Sequence, residues 1–413
     1  MSPGHRSSLA KRTPLEWAVR CGLAIVAASV GFVSIQQTLA YTLSRSATAT
    51  AYRLSPGDGR IAGLLAAQLL VVEKPQAAER ARARRLARKA LMDEPMSVPA
   101  VTALAIANQL SGDTTQARRL FLHSDALSRR DLITRLWLVE DAVGREDIPG
   151  ALRHYDIALR TSRNASDILF PVMAQAIADP VVAKEVTKTL AAGPPWRDAF
   201  TGFIPSSGIS PRIAGAFFQR AVAQGVPVQP LALASVVSAL ITSGRVEQGW
   251  RLYASVRKGT ARDRSRDPQF TAQPSVPMVF DWAPISNDLG VSASFQRADQ
   301  RGVFDFAVPS TLGGIVLQQG QYLPPGNYRL DGVSHGIEQG QGARPFWQLV
   351  CSDGREVGRV EVTNSSADGG RFSGVFNVGP NCAFQTLRFV IRPSPDIEGV
   401  AGQISHIQLE RSK

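Results

Sequence analysis

Between Arg20 and Arg45 the chain runs for twenty-four residues, Cys21 to Ser44, without a charged side chain. A helix needs about 20 predominantly apolar residues to cross a bilayer core, so this run is long enough to do so. It decides where the remainder works, because the residues beyond Ser44 are polar enough to stay in water. Upstream, Thr13, Pro14 and Glu16 write a helix start: an N-cap, a proline at the first helical position and a glutamate closing a capping box. Trp17 then falls at headgroup depth, where indole rings are favoured. Residues 1–20 carry four Lys/Arg and residues 43–62 carry three, which favours keeping the tail inside. The expectation is a signal anchor at 21–44 behind a cytoplasmic tail at 1–20. The rival is a cleaved secretory signal, with an apolar region from Gly22 to Ile35 and a cleavage site at Thr38, Leu39 and Ala40. Gln36 and Gln37 weaken the distal half of the span and keep that rival open. Both readings export the bulk of the chain.

At 413 residues the chain holds more than one domain. Before residue 273 there are 35 Lys/Arg against 21 Asp/Glu; from 273 onward there are 11 against 13. The break coincides with a change from Ala/Leu/Arg-rich to Gly/Val/Phe/Ser-rich text, so two architectures are joined. A basic half attracts anionic partners. Its arginines, however, sit among alanines at helical spacing (Arg82, Arg84, Arg85), as on a solvated helix face. Export argues against nucleic acid as a partner. Of three cysteines, Cys21 lies in the apolar run, while Cys351 and Cys382 both lie beyond the break and invite a disulfide in an oxidising compartment. No zinc-ligand spacing occurs, and no metal or cofactor is expected.

The helical half repeats with a period of 34. Ala83, Ala87, Ala90 and Leu91 return as Ala117 and Phe121, and again as Ala151, Tyr155, Ala158 and Leu159. An off-register copy after Gly244 carries Gly249 and Tyr253. Small residues at Ala83, Ala117, Ala151 and Gly249 let paired helices approach, and Ala87, Phe121, Tyr155 and Tyr253 fill the gap one turn later. This pattern resembles tetratricopeptide repeats, firmly over about 80–160 and weakly to 257. Two departures stand out: Glu146 replaces a turn glycine, and Ser124 a small alanine. Residues 165–240 are cut into short pieces by prolines and read as a degenerate continuation. The resemblance implies a solenoid over 45–256 that docks protein partners.

After a charged linker at 257–278, short alternating runs separated by turn signals recur from Gly302 to Leu409. Eight or so strands without a convincing helix read as an all-β sandwich over 279–413. The Tyr328, Trp347 to Cys351, Cys382 to Ile391 and Gly402 to Leu409 segments resemble jelly-roll carbohydrate-binding modules. The fold class is therefore α + β: a transmembrane helix, an α-solenoid and a jelly-roll sandwich. Fold alone does not establish sugar binding.

Sugar-binding surfaces present aromatic faces together with amides and carboxylates. Trp282 and Tyr322, near strand ends, are the candidate stacking rings, with Glu338, Gln339 and Gln341 of a Gly-rich loop as polar partners. Trp347 alternates with Leu349 and Cys351 and belongs in the core. A glycosidase needs two carboxylates facing one groove. Asp281, Asp288, Asp299 and Asp305 are available, yet nothing in the sequence singles out a pair. A GxSxG string at Gly332 to Gly336 lacks the helix a nucleophile elbow requires after Ser334.

The expected protein is a non-catalytic, single-span protein of the bacterial inner membrane with most of its mass periplasmic. It resembles envelope accessories of cell-surface polysaccharide assembly, with the solenoid docking an envelope protein and the sandwich touching polysaccharide. A purely structural scaffold is the alternative, and a polysaccharide-modifying enzyme a third class.

Overall fold

The computed structural model describes residues 13–412 apart from 73, 273, 299 and 300, and falls into two compact units that divide between Ser166 and Asp167. In the first, α1 (Pro14–Leu43) begins as expected, with Thr13 as N-cap and Pro14 in the first turn. It is long and apolar enough to cross a membrane. Its last turns pack on the next helices of the unit: Gln36 donates its side-chain amide to the Leu54 carbonyl, and Ala40, 1% exposed, joins Ala51 and Ile61. The helix passes through Thr38, Leu39 and Ala40 without a break.

Seven further helices follow among the described residues of this unit: α2 (Thr48–Leu54), α3 (Gly59–Gln68), α4 (Ala77–Asp93), α5 (Val98–Gln109), α6 (Thr114–Leu127), α7 (Leu132–Gly144) and α8 (Ile148–Thr161). Asp58, Asp113, Asp131 and Asp147 cap four of them through side-chain hydrogen bonds. The core of the first repeat is built from Ala62, Ala66, Ala83, Ala87, Ala100 and Ala103. Helix axes must approach closely to fill space with methyl groups. At Gly63 a Cβ would stand 2.7 Å from the Ala100 nitrogen. Ala117, Phe121, Ala151 and Tyr155 are likewise buried.

Both departures from the repeat pattern have local explanations. Ser124 is buried beside Thr102 and Thr134, each hydroxyl within 3.2 Å of the other two, and Asp131 closes the cluster. A hydroxyl in an alanine position is thus fully hydrogen-bonded. Glu146 adopts φ +59°, the left-handed conformation that Gly112 takes one repeat earlier. In both turns the next amide reaches back five residues, Asp113 to Asn108 and Asp147 to Ala142, closing the helix end in a Schellman motif. The same bond occurs after Gly225 and Gly244, so the turn recurs beyond the detectable sequence repeat.

The second unit opens with α9 (Ala165–Ala176), α10 (Pro180–Ala191), α11 (Arg197–Phe203), α12 (Pro211–Ala223), α13 (Pro230–Thr242) and α14 (Val246–Val256). Three prolines in this stretch start helices rather than ending them: Pro180, Pro211 and Pro230 occupy first turns, where a missing N–H costs nothing. Phe170, Trp196, Phe200 and Phe217 form a chain of ring contacts through the interior.

Ten strands come next among the described residues: β1 (Ala283–Pro284), β2 (Ser292–Ala298), β3 (Arg301–Val308), β4 (Gly314–Gln321), β5 (Gly326–His335), β6 (Phe346–Cys351), β7 (Glu356–Glu361), β8 (Arg371–Val378), β9 (Gln385–Ile391) and β10 (Val400–Arg411). They form two five-stranded antiparallel sheets, β1-β4-β9-β6-β7 and β2-β3-β10-β5-β8, around a core that includes Trp347, Phe389, Phe304 and Ile407. The closing strand β10 lies between β3 and β5. β6 and β9 are neighbours, and Cys351 and Cys382 are bridged with Cα atoms 5.4 Å apart. A bridge closing a loop of this length stabilises by about 2–4 kcal/mol.

Residues 257–278, expected to be a linker, are pinned to the sandwich. The Ser265 amide donates to the Leu409 carbonyl, Pro268 accepts from the Ile407 amide, and Phe270 is inserted in the core. Beside it, Asp281 accepts hydrogen bonds from Tyr253 of α14, Arg257, Arg266 and the Met278 amide. Trp250 and Tyr253 pack on Phe280. The last solenoid helix and the sandwich therefore share one interior.

Candidate functional site

Strand alternation decides which side chains leave the sandwich. In β9, Leu387, Phe389 and Ile391 enter the core, so Thr386, Arg388 and Val390 face outward. In β6, Trp347, Leu349 and Cys351 point in, leaving Phe346, Gln348 and Val350 outside. The register then aligns four outward residues across four strands: Gln318 of β4, Arg388 of β9, Gln348 of β6 and Arg359 of β7. Strands spaced about 4.8 Å apart make this a row about 14 Å long.

Charge along the row is uneven. Arg359 is paired with Glu356 and covers one face of Phe346, its guanidinium carbon 4.0 Å from the ring centre. Arg392, paired with Glu361, lies 4.7 Å from the same ring. Arg388, at the centre, has no ion pair among the described residues, and its Nε is buried without a hydrogen-bond partner. A buried guanidinium nitrogen left unbonded is costly, and the flanking Gln318 and Gln348 amides add donors and acceptors at its sides. Because that Nε is closed to solvent, a carboxylate or a pair of hydroxyls over Arg388 would meet only its terminal guanidinium nitrogens. The carboxylates beside this row, Glu356 and Glu361, are held in ion pairs with Arg359 and Arg392.

The residues singled out from sequence lie elsewhere, and several are buried or already hydrogen-bonded. Trp282 is 5% exposed, donates its indole N–H to the Asp267 carbonyl and stacks edge-on against Trp347, so neither face is free for a sugar. Tyr322 is half-buried, with the Arg262 guanidinium 3.8 Å above its ring and Trp250 beside it. Gln339 is buried with both amide ends used, by the Gly399 carbonyl and the Ser394 hydroxyl. Glu338 is exposed but committed to the Ser366 amide and hydroxyl, and Gln341 is exposed in the same loop. None belongs to the Arg388 row.

The catalytic strings dissolve in the same way. Ser334 is buried within β5 and bonded to Ser365 and Gly370, with no helix after it. Asp281 is saturated by its donors, Asp305 accepts from Gln403, and Asp288 stands on an exposed loop. Asp299 lies outside the described residues. No cluster of three or more metal-ligating side chains occurs among the described residues. Neither Gln348 nor Arg388 was singled out from sequence; their alignment into one row depends on register, which the sequence does not display.

No protein-family model and no curated protein matches the chain. Solved structures similar to parts of it include carbohydrate-binding modules and tetratricopeptide proteins. A family 61 module determined with β-1,4-galactotriose covers 37% of this chain and all of its own, at 18% identity and TM-score 0.27. YrrB, a tetratricopeptide protein with an unusual peptide-binding site, covers 51% of this chain and 90% of its own, at 14% identity and TM-score 0.24. The type IV pilus biogenesis factor PilW covers 49% of this chain and 93% of its own, at 13% identity and TM-score 0.26.

Proposed function

We propose that this chain is a non-catalytic envelope protein tethered by α1 to the bacterial inner membrane, with its bulk in the periplasm. In this reading the helices dock an envelope protein partner, and the outer face of β4-β9-β6-β7 contacts glycan during cell-surface polysaccharide assembly. The observation that carries it is Arg388, a guanidinium without an ion pair among the described residues, flanked by Gln318 and Gln348 on the outer side of the sheet. The Cys351–Cys382 bridge supports an oxidising compartment. Ala40 supports an uncleaved anchor, because it is buried within an unbroken helix.

The test is retention of the full chain on immobilised neutral and acidic polysaccharides, alongside Arg388→Ala. Retention of a glycan that falls at least tenfold in the variant, about 1.4 kcal/mol, is the expected result. Retention of nothing in the panel would leave a scaffold that binds only protein.

A further inference from the structure

Arg80, Arg84 and Arg88 recur every four residues along α4, and Arg85 flanks them. With Ala77, Ala81 and Ser111 they line an open groove of about 480 Å³ beside the α5–α6 turn. Arg84 forms its floor, donating to the Ala107 carbonyl at 2.9 Å and the Ser111 hydroxyl at 2.6 Å. Arg80, Arg85 and Arg88 make no ion pair among the described residues. Of the two acids on the helix, Glu79 is turned to the Gln76 amide at 2.8 Å, and Asp93, in the last turn, does not line this groove. Neither α3 nor α5, which pack on α4, contains an Asp or Glu.

The repeat supplies its own control. Thirty-four residues on, the equivalent groove of about 440 Å³ holds Arg118, the counterpart of Arg84, with Asp141 where α5 has Ala107. Asp141 neutralises both Arg118 and Arg145, at 3.5 and 3.0 Å. The second groove is internally balanced and the first is not. Uncompensated charge on α4 is therefore a property of that groove, and not a by-product of the repeat.

We infer that the α4 groove binds a carboxylate-bearing polysaccharide chain. From Arg80 to Arg88 the stripe extends about 12 Å at 1.5 Å per residue, with successive guanidiniums about one turn apart. A linear array of this kind fits charges repeated along a polymer better than a single ion. Its floor is recessed, with Arg84 held in place, which suits a strand lying in a channel more than a flat headgroup layer. The groove goes beyond the sandwich reading and shares with it only the exported location.

The test uses the full chain in nanodiscs of zwitterionic lipid, with Arg388→Ala present so that the sandwich row does not contribute. Polygalacturonate is the probe and dextran the neutral control. Polygalacturonate should bind and be released as salt rises, whereas dextran should not bind. Arg80→Gln, Arg85→Gln and Arg88→Gln together should weaken binding at least tenfold and flatten the salt dependence. Should the triple variant misfold, Arg88→Gln alone should weaken binding about threefold, while Arg88→Lys retains it. Equal binding by parent and variants, or none by the parent, overturns the inference. Arginine-dependent capture of phosphatidylglycerol vesicles without capture of polygalacturonate overturns it too, in favour of a lipid surface.

Discussion

Asp281 is the residue whose loss should be felt most in the second unit. Its side chain is 1% exposed, and it accepts from the Tyr253 hydroxyl at 2.8 Å, Arg266 at 2.6 Å, Arg257 at 3.1 Å and the Met278 amide at 3.0 Å. The two arginines are themselves only 20% and 17% exposed, so neither regains full hydration when the carboxylate is removed. Breaking a buried pair by deleting one partner costs about 3–5 kcal/mol, because the survivor stays charged and unpaired. Asp281→Ala should therefore lower the unfolding free energy of this unit by about 3–5 kcal/mol. For a unit of this size that is a midpoint shift of about 6–20 °C. Tyr253→Phe removes one hydrogen bond to a charged acceptor and should cost about 1.5–3 kcal/mol. The two losses share a contact, so the double variant should cost less than their sum. Thermal and urea unfolding of the full chain, with Trp250 and Trp282 fluorescence as reporters of this region, measures all three. A loss of less than about 1 kcal/mol in Asp281→Ala would refute the reasoning.

Two further outcomes concern the first unit. Glu146 holds φ +59° where its structural counterparts are glycines, so Glu146→Gly should stabilise by about 0.5–1 kcal/mol, read as a raised urea midpoint; an unchanged or lowered midpoint counts against strain there. Burial, with the adjacent Arg135 and Arg153 charges, lowers the pKa of His154, whose Nδ1 lies 3.2 Å from Arg135. The unfolded chain then binds the extra proton first, so stability is complete above about pH 6.5 and declines as pH falls below it; His154→Gln should flatten that decline in a pH series of unfolding midpoints.

The features legible in the sequence are those that local chemistry writes. An uncharged run, a period of 34 and alternating strands need no long-range information, and the paired cysteines needed only a compartment. The helices after Pro180, Pro211 and Pro230 were harder, because proline reads as a breaker unless its place in the first turn is known. Trp282 and Tyr322 looked available because they sit near strand ends. Phe270 from the supposed linker and Arg262 from the same segment cover them, and nothing in the strand text announces that. Arg388 was not singled out from sequence at all. Its isolation from acids is a fact about neighbouring strands, and register is set by the whole core.

The docking of Gln36 and Ala40 onto the helices behind them has a mechanical consequence. With α1 in a bilayer, the uncharged residues 21–35 ahead of that docking provide about 22 Å of helix, less than the hydrocarbon thickness of about 30 Å, and leave no slack stalk. The azimuth of the first unit about the membrane normal is then set by the phase of that helix. One residue inserted between positions 25 and 33 would swing the whole unit by about 100°, the angle separating successive residues around a helix of about 3.6 per turn. Any surface that must meet a membrane-bound neighbour would be turned away by so small a change, while stability in solution stayed the same.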